Sequence, residues 1–291
     1  MKISSLLGLT LLIVSHSAIA GIPKSQEDNE SPDGFSFIAS GLQFRPLVAN
    51  VYEPRVGILS QLDKNLLRLD IGNSIDLIQY HNSVDSAVYT VGSDFFTYTL
   101  LRGEQGFHFP VDASDYFFGI NVSYRKPVNS GVLSSRLRVS HISSHFVDGH
   151  YDNTTASWKD GRAPTVYSRE FLDVVGAWES EGYENLARVY LGASYLFHVD
   201  PKDLPRFSSY GGGELYRPTS SMLNPYLAYQ VTLMKVSELS IRHSIQLGVK
   251  LGSVTRRGLD VFASYFSGYS IHGEYFNVKD NYFALGFLVK F

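Results

Sequence analysis

The chain closes on Phe283-Ala-Leu-Gly-Phe-Leu-Val-Lys-Phe291. In an extended strand successive side chains point to opposite faces. Phe283, Leu285, Phe287, Val289 and Phe291 therefore share one face, and Ala284, Gly286, Leu288 and Lys290 share the other. One face is large and apolar throughout, while the other is mostly small and ends on a charge. That division suits a sheet with hydrocarbon outside and a packed, partly polar lumen inside. The apolar run Leu6–Val14 is shorter than the roughly 20 residues a helical span needs, and no later stretch comes closer. The expected fold class is all-β: an antiparallel transmembrane β-barrel of about twelve strands, closed by the strand ending in Phe291.

The same period recurs along the chain. Strands are expected over Arg55–Leu62, Leu66–Tyr80, within Ala87–Leu101, and over Tyr116–Tyr124, Leu133–His145, Val166–Trp178 and Arg188–His198. Phe207–Tyr216, Leu223–Leu233, Leu239–Leu251 and Leu259–Tyr269 follow, and the terminal strand completes an even number. Asp94-Phe95-Phe96 interrupts the phase of the third strand, where a bulge would reset it. The long connections, Arg102–Ala113, Phe146–Thr165 and Ser270–Asp280, follow the third, fifth and eleventh strands, and those after the fourth, sixth, eighth and tenth are short. Long loops thus gather at the extracellular end and short turns at the periplasmic end.

Met1-Lys2, the apolar run and Ala18-Ile-Ala-Gly21 read as a secretory signal peptide over residues 1–20. Residues 21–53 form a polar periplasmic lead-in and N-terminal segment, and residues 54–291 the barrel. Pro46 and Pro54 bracket a stretch unsuited to an interior strand, which either tucks against the periplasmic mouth or enters the lumen. There is no cysteine, so the exported chain must be held by a large core or by a closed sheet, and a barrel, in which every backbone group pairs, qualifies. Tyrosine and phenylalanine, 19 of each, suit interfacial girdles. A formal net charge of −3 gives no basic footprint for nucleic acid.

Phe44-Arg-Pro-Leu47 with Glu53-Pro-Arg55, Ser143-Ser-His145 with Asp148, Ser168-Arg-Glu170 and Tyr195-Leu-Phe-His198 together resemble an uncharacterised family of bacterial outer-membrane proteins, a domain of unknown function. The resemblance implies a barrel in a Gram-negative outer membrane and no established activity. Gly286, Val289 and Phe291 resemble the C-terminal assembly signal of such barrels, with Ala284 where that pattern prefers a large polar residue. The resemblance implies the barrel-assembly machinery as a partner, beside outer-membrane lipids and lipopolysaccharide. Nothing in the sequence speaks to oligomeric state.

The inward-facing set includes Arg68, Asp70, Asp76, Arg136, Arg138, Arg169, Asp173, Arg188, Glu214, Arg242 and Lys250. Both signs on neighbouring strands suit a self-satisfied network that fills the lumen. The arginines equally suit a narrow, porin-like path for small solutes or anions. On the outward face, His141-x-Ser143 places a base beside a nucleophile at strand spacing and resembles the site of outer-membrane phospholipase A. That resemblance implies a Ser/His lipid hydrolase with Ser143 as nucleophile and His141 as base. Asn153 or Glu170 would orient the imidazole. Calcium is expected only in that case, and otherwise no cofactor. His141, His145, Asp148 and His150 form a weaker metal-binding combination, and the loop 146–165 is a candidate surface for binding partners. Whether the chain is an enzyme stays open between these readings.

Overall fold

In lipid a backbone polar group has no water to bond, so a sheet crosses a membrane only by closing on itself. The computed structural model, which describes residues 33–38, 41–180, 185–202, 204–219, 222–235, 238–255 and 257–290, does this with antiparallel neighbours all round. The wall comprises β1 (Val56–Gln61), β2 (Leu66–Asn82), β3 (Ala87–Arg102), β4 (Val111–Val128), β5 (Gly131–Phe146) and β6 (Tyr167–Ser180). It continues with β7 (Leu186–Asp200), β8 (Phe207–Tyr216), β9 (Leu223–Lys235), β10 (Leu239–Gly252), β11 (Gly258–Tyr269) and β12 (Lys279–Lys290). The sheet has 13 strands, of which Gly34–Phe37 lies outside the ring, leaving twelve in the barrel. Closure is between β12 and β1, from Ala284 opposite Gln61 to Val289 opposite Val56. A Cβ on Gly286 would stand 2.7 Å from both the Ile58 carbonyl and the Phe262 ring, so this seam admits only glycine there. Phe291 and residues 1–20 lie outside the described residues.

The two faces separate as the alternation requires. Leu191 is 72% exposed and its neighbour Tyr190 only 6%. The outward set, including Leu137, Val139, Leu172, Val174, Leu285 and Phe287, forms the apolar exterior. β3 differs from expectation in one respect: it carries no bulge at Asp94-Phe95-Phe96, whose residues pair in register with Gly119, Phe118 and Phe117. The phase looks broken because Phe96 and Tyr98 are lumenal aromatics. They are buried with the Arg68 guanidinium over them, 6.0 and 5.3 Å from the ring centroids. Register shifts occur instead at Leu77 of β2, at Asp112 of β4 and at Phe197 of β7.

Gly34–Phe37 pairs with Ile78–His81 at the end of β2 that the short β1 leaves uncovered. The chain then enters the lumen: Phe44, Leu47, Val48, Ala49, Val51 and Glu53 are all buried. Of the two courses open to this segment, the lumenal one is taken. The longer connections 103–110, 147–166 and 270–278 share one end of the barrel, and the connections 83–86 and 129–130 lie at the other.

A charge placed on the lipid face at mid-depth should weaken the barrel by about 2–4 kcal/mol. Val174→Arg, outward and central on β6, is expected to lower unfolding free energy by that amount in urea titrations of protein refolded into bilayers.

Candidate functional site

Two places collect polar side chains: the lumen, where the N-terminal segment docks, and a patch on the outer wall of β5, β6 and β7 towards the end that carries the longer connections.

In the lumen the wall presents charges, and residues 41–55, the plug, meet them. Glu53 lies between two guanidiniums: Arg136 Nη1 donates to Oε2 at 3.1 Å and Arg138 Nη2 to the same oxygen at 2.9 Å. All three side chains are buried. Burial by itself would raise the Glu53 carboxyl; the two guanidiniums outweigh it and hold it at about 2. Arg138 Nε also donates to Asp94 at 3.0 Å. Above and below this centre the plug is tied repeatedly to the wall. Arg45 Nη2 donates to Glu179 at 2.6 Å, and Arg188 Nη1 to the Arg45 carbonyl at 2.9 Å. The Val48 N–H donates to Glu214 and the Gln43 N–H to Asp76, both at 2.8 Å. Arg68, paired with Asp70, donates to the Val51 carbonyl at 3.0 Å. The Phe44 ring has the Arg136 and Arg188 guanidiniums at 4.4 and 4.8 Å, within cation–π range. Open space remains beside the plug: a cavity of about 790 Å³ is bordered by Arg45, Glu53, Glu214 and Lys250, and another of about 100 Å³ by Tyr52, Arg169 and Arg242.

The mouth at the end of the longer connections is drawn in by the 270–278 connection. Asp115 accepts from the Gly273 N–H at 2.7 Å and pairs with His272 Nδ1 at 2.7 Å. Tyr275 OH donates to Asp112 at 2.6 Å, and burial together with that carboxylate keeps its phenol well above the ordinary range. His150, from the 147–166 connection, is fully buried against Asp112 and stacks on Phe146 with ring centroids 3.7 Å apart. This loop is therefore folded onto the mouth.

On the outer wall, His141, Ser143 and Glu170 all face outward. His141 Nδ1 is 2.7 Å from Glu170 Oε1, with the two residues directly opposite across β5 and β6. Ser168 Oγ donates to the same oxygen at 3.3 Å. The Phe197 bulge reverses the parity of β7, so that His198 turns outward and its Nδ1 meets the other oxygen of Glu170. Among the described residues no hydrogen bond joins Ser143 to His141, and none joins Asn153 to either histidine. The side chains of the metal combination do not converge: His150 is buried with Asp112 and the Arg162 carbonyl while His141 is on the outer wall with Glu170. Among the described residues no cluster of three or more His, Cys, Asp or Glu side chains could hold a metal ion.

Every residue of the expected lumenal set faces inward. Arg68, Asp70, Asp76, Arg136, Arg138, Asp173, Arg188, Glu214, Arg242 and Lys250 are buried, and Arg169 is partly so. Sequence reasoning missed Asp94, because the phase of β3 was obscured, and Glu53, Asp115 and His272, because no local pattern ties a plug or loop residue to a wall position. Glu53 did stand in a stretch resembling a family, as did Glu170 and His198.

The model of a family described as "Protein of unknown function (DUF1207)" matches residues 36–291, and the chain belongs to that family. No curated protein matches the chain. Among solved structures, the chain is similar to the beta domain of the Bordetella autotransporter Brka. Identity is 13%, coverage is 81% of this chain and 96% of that one, and the TM-score is 0.42. It is also similar to in-vitro folded OmpT, an outer membrane protein of Vibrio cholerae, at 11% identity, 81% and 95% coverage, and a TM-score of 0.33. The comparisons do not show the local resemblance to outer-membrane phospholipase A.

Removing the Glu53 charge leaves two buried guanidiniums short of a partner, a change that typically costs about 3–5 kcal/mol. Glu53→Gln should lose about that much in chemical unfolding at neutral pH, while Glu238→Gln, on an exposed side chain, should stay within about 0.5 kcal/mol. Because the folded-state value is depressed, this contribution is complete above the unfolded value of about 4.3 and is lost as pH falls towards about 2. The gap between wild type and Glu53→Gln should therefore shrink across that acid window.

Proposed function

We propose that this chain, a DUF1207 family member, is a Gram-negative outer-membrane barrel whose resting form is a closed conduit. Its lumen is shut by its own N-terminal segment, and a small solute crosses only when that segment shifts. In this reading residues 1–20 direct export, and Gly286, Val289 and Phe291 present the last strand to the assembly machinery. The observation that carries the proposal is Glu53, held in the interior by Arg136 and Arg138 on β5. A plug fixed only by packing would leave no discrete latch, whereas one buried carboxylate between two arginines gives the segment a definite docked state. The cavities of about 790 and 100 Å³ beside the plug are the space such a path would join. In planar bilayers the wild-type protein should be silent and Glu53→Gln should give stepwise conductance. Steady open steps from wild type would remove the plug from the account. Silence from a folded Glu53→Gln would leave the barrel a structural role instead.

A second reading rests on the His141–Glu170 pair at 2.7 Å on the outward face, with Ser143 two residues along the same strand. A carboxylate on Nδ1 fixes the tautomer that leaves Nε2 as the base, and with Ser143 brought to Nε2 the group would be a lipid-facing esterase acting on outer-leaflet acyl groups. The refolded protein would be given phospholipid or lipopolysaccharide, with and without calcium, and released fatty acid read by mass spectrometry. Release abolished in Ser143→Ala and reduced in Glu170→Gln is the expected result of this reading. No release under any condition sinks it.

A further inference from the structure

We infer that the smaller lumenal cavity is a binding site for a small oxoanion of the phosphate class, held between Arg169 of β6 and Arg242 of β10. Both arginines border this cavity of about 100 Å³, which is room for several waters or for one tetrahedral anion. Their guanidiniums lie 4.7 and 5.5 Å from the centroid of one tyrosine ring, that of Tyr52. Elsewhere in the lumen the arginines pair with carboxylates: Arg136 and Arg138 with Glu53, Arg68 with Asp70, Arg45 with Glu179. Arg169 and Arg242 stand apart from this rule, since neither has a carboxylate within 4.0 Å among the described residues. The Nε of each is buried and has no hydrogen-bond partner. Arg242 is 6% exposed, and its contacts are neutral: the Tyr52 hydroxyl at 3.4 Å and the Tyr269 and Ser270 carbonyls at 3.0 and 3.4 Å.

Two enclosed cations sharing one ring, without a counter-charge, are costly unless an anion joins them. Guanidinium groups suit a phosphate because their planar N–H pairs match its oxygens. Thr232, Gln230 and Ser270 add hydroxyl and amide groups to the lining. The other charges there are already engaged. Arg138 is paired with Glu53 and Asp94. Asp173 accepts from the Tyr210 hydroxyl at 3.0 Å and from Ser194, and sits four residues from Arg169, about 13 Å along the strand. Tyr52 belongs to the plug, so the anion would sit where plug and wall meet. The site exists in the closed barrel and stands or falls independently of conduction.

The test is calorimetric titration of inorganic phosphate into the refolded wild-type chain in a maltoside detergent at constant ionic strength. A parallel arm uses a short-chain phosphatidic acid, and folding is checked by heat-modifiable migration. Saturable phosphate binding is expected, weakened about tenfold or more by Arg169→Gln and by Arg242→Gln and unchanged by Arg217→Gln, an exposed arginine. Binding of the lipid as well, with the same variant pattern, would widen the ligand to phosphate monoesters, and binding of phosphate alone would confine it to the free anion. Wild-type protein that shows no saturable heat overturns the site, as does binding that survives both substitutions. Should either glutamine variant fail to fold, Arg169→Lys and Arg242→Lys keep the charge but lose the planar fork. Their affinity should fall several-fold, and unchanged affinity would equally overturn the assignment.

Discussion

The rest of the structure depends on closure of the sheet. Once β12 pairs with β1, every strand of the ring has two neighbours, and the backbone makes no demand on the lipid around it. Closure also sorts side chains without further instruction: alternate residues go to hydrocarbon or to the lumen. The consequence is that charges enter the lumen with every second residue, and a buried charge left without a partner is expensive.

A twelve-stranded wall is wider than its own side chains readily fill, and the N-terminal segment occupies the difference. Its contribution is electrostatic as much as steric. It brings Glu53 to Arg136 and Arg138, and Arg45 to Glu179, while its backbone N–H groups at Gln43 and Val48 meet Asp76 and Glu214. The wall network and the plug are thus one system. Removal of the plug would strand charges on β5 and β6, so the closed state is favoured by the same groups that would line an open path. Tyr52 is where this system is least complete, since among the described residues neither of the two arginines over its ring has a carboxylate within 4.0 Å.

On the outer wall a single extra residue matters. Without the bulge at Phe197, strict alternation would send His198 into the lumen with Leu196; with it, His198 reaches Glu170 from the side opposite His141. Two histidines then share one carboxylate on the outward face. A bulge of this kind re-aims a side chain without breaking the ladder on either side.

Much of this architecture was legible in the sequence. A period of two over long stretches yields the strands, the even number and the lumenal arginines such as Arg138 and Arg188, because alternation is a property of each strand by itself. The segregation of long connections to one end followed from counting strands. What the sequence left undecided all depended on contacts between distant parts of the chain. The phase of β3 is decided by Phe96 and Tyr98 packing under Arg68, residues of another strand. The choice of lumen over periplasmic mouth for residues 41–55 is decided by wall charges up to 166 positions away, as in the contact of Val48 with Glu214. The partners of His141 are decided by cross-strand register and one bulge. Periodicity is local and survives in one dimension, whereas the pairing of buried charges is a three-dimensional balance that exists only once the barrel has closed around them.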